Sequence, residues 1–251
     1  MRWATKSIKG MNRILIEPEE IREDGTATLT DARAVHIREV LGARPGEVLR
    51  TGTVNGLAGW SRVVEVSEVA VTLKPCHEET APEPWLDLLL AAPRPKVLKR
   101  LWPQLAALGV GRIVVLNAFR VEKCYFSSQW LESAQVRALL LEGLCQAGLT
   151  RLPEVLVRMR FKPFVEDELD TLFSTSIRLL AHPGPRTALP AEAAWGGRPC
   201  LAVGPEGGWT AYERRLLTER GFECFSLGPR TLRTDTACVS LIAVLGYLME
   251  Q

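Results

Sequence analysis

Apolar residues along this chain follow two rhythms, and the change between them divides the sequence. In the first part they come in short runs broken by turn residues. Arg13–Ile16 and Thr26–Leu29 read as strands, and Asp31 is placed to cap a short helix through Leu41, which Gly42 ends. Arg44-Pro45-Gly46 turns the chain into further strand-like runs at Glu47–Arg50, Gly59–Val66 and Ala70–Leu73. Short strands spaced by glycine and proline turns predict a small β-barrel domain, assigned to residues 11–80. The stretch Pro75 to Pro84, with three prolines and three glutamates, reads as a linker.

From residue 84 to 251 strands alternate with helices. Trp85–Ala91 reads as a buried strand, followed by a helix from Pro95 or Lys96 to Leu108 that Gly109 stops. Arg112–Leu116, Glu154–Val157, Ile177–Ala181 and Cys200–Val203 continue the strand series, with a helix over Gln129–Ala147 between the first two. Glu223–Ser226 is a last short strand before a final helix, Ala237–Met249, apolar on nearly every side. This alternation predicts an α/β domain with a mostly parallel sheet covered on both faces.

Composition removes several classes of function. The 251 residues, 47% hydrophobic and 24% charged, can build a core without disulfides or metal. No run reaches the roughly 20 apolar residues that span a bilayer, so no membrane partner is expected. Met1–Gly10 is basic and polar without an apolar segment, which reads as a leader before Met11 rather than a secretory signal; a cytoplasmic location is expected. Six scattered cysteines form no C-x-x-C pair and read as buried reduced thiols, and three dispersed histidines suggest no metal. A net charge of +2 neither demands nor forbids a nucleic-acid partner.

The chemistry concentrates in two turns. Leu201-Ala202-Val203 runs into Gly204-Pro205-Glu206-Gly207-Gly208, where glycines let the backbone turn sharply and approach a ligand. Thr210 then starts a helix with Glu213 three residues on, a capping box. The spacing fits neither G-x-x-x-x-G-K-[ST] nor G-x-G-x-x-G, and no lysine is present to grip phosphates. Taken alone, such a loop is more often a structural turn than a ligand site. The second turn, Leu227-Gly228-Pro229-Arg230-Thr231-Leu232-Arg233-Thr234-Asp235-Thr236-Ala237, again lies between a strand and a helix. Two such loops side by side would wrap a flat heterocycle with main-chain groups.

GPEGGWT followed by LGPRTLRTDTA resembles the SPOUT superfamily of methyltransferases, and within it the ribosomal RNA small subunit methyltransferase E family. Weaker likeness extends over most of the chain, through His36, Arg44-Pro45-Gly46, Leu108-Gly109-Val110, Gln146-x-Gly148 and Arg151-x-Pro153. The resemblance implies a PUA-like N-terminal barrel, a trefoil-knotted C-terminal α/β domain that forms homodimers, S-adenosyl-L-methionine as methyl donor, and N3 of a 16S ribosomal RNA uridine as acceptor. Main-chain contacts to the donor are expected from Gly204, Gly207, Gly208, Leu227, Gly228 and Leu232, with Pro205 and Glu206 in the same turn; the resemblance implies that the segment around Leu180–Gly184, with His182, borders the pocket. His182 reads equally as an isolated surface residue.

An activated sulfonium donor leaves the enzyme to align the reactants and to manage the proton on uridine N3. Arg233 first, then Arg230, suit stabilisation of the developing uracil anion; contact with RNA phosphates or the second subunit is the competing reading. Asp235 reads as the N-cap of the last helix rather than a base. Candidate RNA-binding cations are Lys96, Lys99 and Arg100 on one helix face, the alternating Arg158, Arg160 and Lys162, and, with His36, Arg33, Arg38 and Arg44 in the small domain; without the resemblance, such sets more often form solvated faces. The final helix is the expected dimer interface. Glu39, Gly42, Gln104, Ala107, Cys145 and Leu149 depart from the family pattern, putting the target uridine in question. Methylation of another RNA site and non-catalytic RNA binding are therefore the alternatives.

Overall fold

The computed structural model describes residues 12–173, 177–185 and 197–249. The leader expected before Met11 lies outside these residues. The chain forms two compact units, Met1–Glu83 with Leu141–Leu152, and Pro84–Leu140 with Pro153–Gln251.

The first unit holds a five-stranded sheet in the order β1-β3-β4-β5-β2, with β1 Ile14–Ile16, β2 Ala27–Leu29, β3 Val48–Thr53, β4 Ala58–Val66 and β5 Val71–Glu79. β1 pairs with β3 in parallel and the other neighbours are antiparallel. α1 (Ala32–Val35) starts as expected at Asp31, whose carboxylate accepts from Arg33 N at 2.9 Å. It continues as a wider π-helical turn, His36–Val40, and lays Ala34 and Ile37 on Ile14, Ile16, Leu49 and Leu73. Arg13 is 3% exposed; its guanidinium donates to Thr51 O (2.6 Å) and Gly148 O (3.0 Å), and its N–H to Cys145 O. These bonds hold segment 141–152 in the first unit.

The expected linker from Pro75 is corrected, because β5 runs on to Glu79. β2 stops pairing with β5 at Leu73, so beyond it that flank is an edge, where a proline is tolerated.

The second unit is built on a six-stranded, wholly parallel sheet in the order β11-β9-β10-β6-β7-β8. Its strands are β6 Leu86–Ala91, β7 Val110–Leu116, β8 Glu154–Arg158, β9 Arg178–Ala181, β10 Cys200–Val203 and β11 Phe222–Phe225. Every residue of β6 and β10 is buried, as in a sheet covered on both faces. The helices are α2 Pro95–Ala107, α3 Ser133–Ala147, the short α4 Phe161–Pro163 and α5 Leu169–Leu172, α6 Ala211–Glu219 and α7 Thr234–Met249. α3 runs from this unit into segment 141–152 of the first.

Three local expectations change. The single helix over Gln129–Ala147 is a 3-10 turn, Gln129–Leu131, and then α3, because Glu132 is extended and its carbonyl receives Val136 N. α7 begins at Thr234, with Arg233 O accepting from Ala237 N at 2.7 Å, so Asp235 lies in the first turn and is not the cap. Its carboxylate there suits the positive helix end and pairs with Arg100 at 2.7 Å. Cys200 and Cys238 are buried, and burial pushes the Cys238 thiol up to about 12. Cys124 and Cys224 are exposed, the latter on the edge strand β11, so the six thiols are not all core residues.

The strand order positions the site. β9 lies between β10 and β11 with all three parallel, so the segments leaving their C-terminal ends emerge side by side. Ligands of open α/β sheets bind at such ends.

Candidate active site

Gly204–Gly208 leaves β10. A Cβ on Gly204 would stand 3.1 Å from two atoms of the Trp209 indole, which is itself buried, so any larger residue would have to push that ring aside. Gly208 adopts φ +72° and donates to Pro205 O at 2.8 Å, closing the turn. The predicted capping box follows: Thr210 Oγ1 accepts from Glu213 N, while Glu213 Oε2 accepts from Thr210 N at 2.8 Å. The other Glu213 oxygen accepts from Phe119 N at 2.7 Å. Glu213 is 2% exposed, so its carboxylate ties α6 to the loop after β7 from inside the fold. Each buried donor deprived of that partner would cost about 1–3 kcal/mol.

The second turn is joined to the segment after β9. Ser226 Oγ accepts from Gly228 N (3.1 Å) and stands 3.0 Å from Gly184 O. Gly184 N donates to Gly228 O and His182 N to Phe225 O, each at 3.3 Å. Gly228 has φ +126°, a conformation costly for any residue with a side chain.

Between these segments lies a cleft of about 270 Å³. His182, Gly204, Pro205, Glu206, Gly207, Gly208, Leu227, Gly228, Arg230 and Leu232 all line it, so most of the residues singled out in the sequence come together. Leu180 does not: it is buried in β9, paired with Ala202 and Cys224. Arg233 instead lines an adjoining recess with Arg94, Val97, Arg100, Thr234 and Asp235, and Glu206 borders both spaces. Glu206 also accepts from Arg94 N at 3.1 Å, at the start of α2.

The sequence reading assigned no role to Arg120, Trp209, Ser226 or Thr231, which also line the cleft. Trp209 and Thr231 stand inside the quoted motifs, where they were legible. Arg120 is 87 residues from Gly207, whose carbonyl accepts from its guanidinium, and no local pattern announces it.

His182 Nε2 lies 3.1 Å from Arg214 Nη1 and must accept from it. Burial, and then the Arg214 charge, hold the imidazole below its usual 6.5. The ring is therefore neutral over most of the working range, and the stability it contributes disappears as pH falls through that lowered value.

Several candidate RNA-binding cations are engaged by the protein itself. Arg33 pairs with Glu20 and Asp31, and Arg38 with Glu39. Lys99 Nζ sits 4.4 Å from the centre of the Trp130 ring, and Arg100 holds Asp235. Lys96 is on α2, His36 opens the π-helical turn, and Arg44 N donates to Glu47. Among the described residues no cluster of histidine, cysteine, aspartate or glutamate could hold a metal ion, and no helix is long and apolar enough to cross a membrane.

Comparison with known proteins finds an RNA methyltransferase domain matching residues 81–246. Ribosomal RNA small subunit methyltransferase E of Treponema pallidum is 33% identical over 242 residues, 94% of this chain and 90% of that protein. Ribosomal RNA small subunit methyltransferase E 1 of Borreliella burgdorferi is 25% identical, covering 92% and 95%. Among solved structures, a ribosomal RNA small subunit methyltransferase E from Neisseria gonorrhoeae bound to S-adenosyl methionine shares the fold, with a TM-score of 0.77, 24% identity, and coverage of 95% and 98%.

Proposed function

Because this chain belongs to the ribosomal RNA small subunit methyltransferase E family, we propose that it transfers a methyl group from S-adenosyl-L-methionine to N3 of a uridine in 16S ribosomal RNA. The observation that carries this reading is the convergence of three backbone segments, from the ends of β9, β10 and β11, on one cleft. Glycine at 204, 207, 208 and 228 leaves main-chain groups rather than side chains along that wall, which suits a flat adenosine. The donor supplies an already activated methyl group. The residues of the chain then have to bind, orient and handle one proton.

Gly204, Gly207, Gly208, Leu227, Gly228 and Leu232 are assigned to donor binding, with Pro205, Glu206 and His182 on the same wall and Leu180 behind it. Arg230 and Arg233 are assigned to the acceptor side, where positive charge favours the uracil anion that forms as N3 loses its proton. Lys96, Lys99, Arg100, Arg33, His36, Arg38 and Arg44 are assigned to RNA contact. The trefoil knot, a PUA-like character for the first unit, a cytoplasmic location and a homodimer through α7 belong to the same reading. Supporting the last, α7 keeps Tyr247 exposed opposite its buried Cys238, Leu241, Ile242 and Leu245, and leaves Leu248 exposed near its end.

The neutral state of His182 leads to a pH prediction. Below its lowered pKa the ring becomes a second cation beside Arg214, facing a cationic donor. A like charge at about 4 Å costs on the order of 1 kcal/mol even in water, roughly fivefold in affinity. Donor affinity measured by calorimetry should fall by that order as pH drops through this range, and stay flat in His182→Asn. An equal fall in both proteins would remove His182 from the donor wall.

A second reading, methylation of another RNA position, is favoured by the engagement of Arg33, Lys99 and Arg100 within the protein and by the departures at Glu39, Gly42, Gln104, Ala107, Cys145 and Leu149. Mass mapping of ribosomal RNA nucleosides from cells with and without the gene separates the two. The expected result is loss of N3-methyluridine from 16S ribosomal RNA. Loss of a different methylated nucleoside would establish the second reading, and an unchanged profile would overturn both.

A further inference from the structure

Phe119 is the most exposed large apolar side chain of the described residues, at 83%. It is not a loose residue. Asn117 N donates to Arg158 O (2.9 Å), Asn117 Nδ2 to Met159 O (3.2 Å), and Val121 N to Ala118 O (3.0 Å). Phe119 N donates to the buried Glu213, and Arg120 donates to the carbonyl of Gly207. Ala118 and Val121 are buried on either side. Five hydrogen bonds and two buried neighbours thus fix a turn that holds one phenyl ring out in water. Its next residue, Arg120, forms part of the cleft wall.

We propose that Phe119 is a stacking platform for an unpaired RNA base next to the methylated nucleotide. The proposal rests on the function given above and deepens it by naming how the acceptor strand is gripped. Sequence-selective RNA recognition works on splayed, unpaired bases that stack on aromatic faces, and a rigid ring loses little entropy on doing so. The strand in question must lie beside the donor cleft, and the Arg120–Gly207 hydrogen bond fastens the Phe119 turn to that cleft. The charge around the ring selects the same occupant. Arg120 adjoins it in the chain, and Arg160 follows Met159, whose carbonyl holds Asn117; Arg158, on the other side of Met159, is paired with Glu168. That cationic rim suits phosphates, whereas a second copy of this chain would bring the same positive surface against it.

The test compares wild type with Phe119→Ala and Phe119→Tyr in methyl transfer to small-subunit ribosomal RNA. Donor affinity by calorimetry and oligomeric state by sedimentation are measured alongside. Phe119→Ala should raise KM for RNA roughly tenfold, the order of one stacked base, with kcat, donor affinity and oligomeric state unchanged. Phe119→Tyr, which keeps the ring, should restore the wild-type KM. Unchanged KM in Phe119→Ala, loss of donor affinity with it, or a shift toward smaller oligomers overturns the stacking role. A wild type that methylates no RNA overturns the proposed function, and this inference with it.

Discussion

Valine in place of Gly207 is expected to abolish S-adenosylmethionine binding while the protein stays folded. A Cβ at this position would stand 3.0 Å from Arg120 Cδ and 3.3 Å from Arg120 Cβ. The Cδ contact can be relieved by rotating the Arg120 side chain, and the Cβ contact by a shift of a few tenths of an ångström, so the fold survives. The cost falls on the cleft, where a branched side chain takes space from a cavity of only about 270 Å³. Wild type at 100 times its dissociation constant should gain about 2.7 kcal/mol of stability from the donor, and the variant none. Thermal melts with and without donor read this directly, and far-ultraviolet circular dichroism checks the fold. A folded Gly207→Val protein with wild-type donor affinity would place the cofactor elsewhere.

The second large effect concerns the arginines. Arg230→Ala and Arg233→Ala are each expected to lower kcat about 100-fold, the usual cost of removing one stabilising donor from a developing anion, with a much smaller change in KM for RNA. The two side chains line adjoining spaces, Arg230 the main cleft and Arg233 the recess bordered by Asp235 and Arg100. If they act on the uracil anion, activity should recover as pH rises toward the range where uracil ionises unaided. If they contact phosphates instead, the variants will lose RNA affinity, the salt dependence of binding will flatten, and kcat will hold. Steady-state kinetics across pH and salt distinguish these outcomes.

Much of this architecture was legible in local pattern, and the site only in part. The apolar run Cys200–Val203 coincides with β10, and the Thr210–Glu213 spacing with an observed capping box, because both depend on neighbours in the chain. The insertion of β9 between β10 and β11 is a non-local pairing that no periodicity encodes, yet it brings His182 and Gly184 against Gly228. Arg120 was invisible for the same reason: it meets Gly207 only after the sheet has formed. Leu180 is buried in β9, as is its neighbour Leu179, and does not line the cleft that the residues after β9 reach. Pro75 misled in the opposite sense. Proline ordinarily signals a break, but here it falls where β5 has lost one neighbour and needs no donor on that side.

Arg33 and Lys99 carry a related lesson. Their charge and spacing suggest RNA contact, and in the fold Arg33 is also held by Glu20 and Asp31 while Lys99 rests on Trp130. Charge patterning reveals which cations exist, and only the folded chain reveals which have partners. Arg230 and Arg233, by contrast, lie in a turn whose backbone is committed to the cleft and to the start of α7.

Solving the structure with S-adenosylmethionine soaked in at saturation tests the central claim most directly. The donor should lie between Gly204–Gly208 and Leu227–Leu232, its adenine and ribose contacted chiefly by peptide N–H and C=O groups of those turns. Density for the donor at any other place, or none between the turns at full saturation, would contradict it.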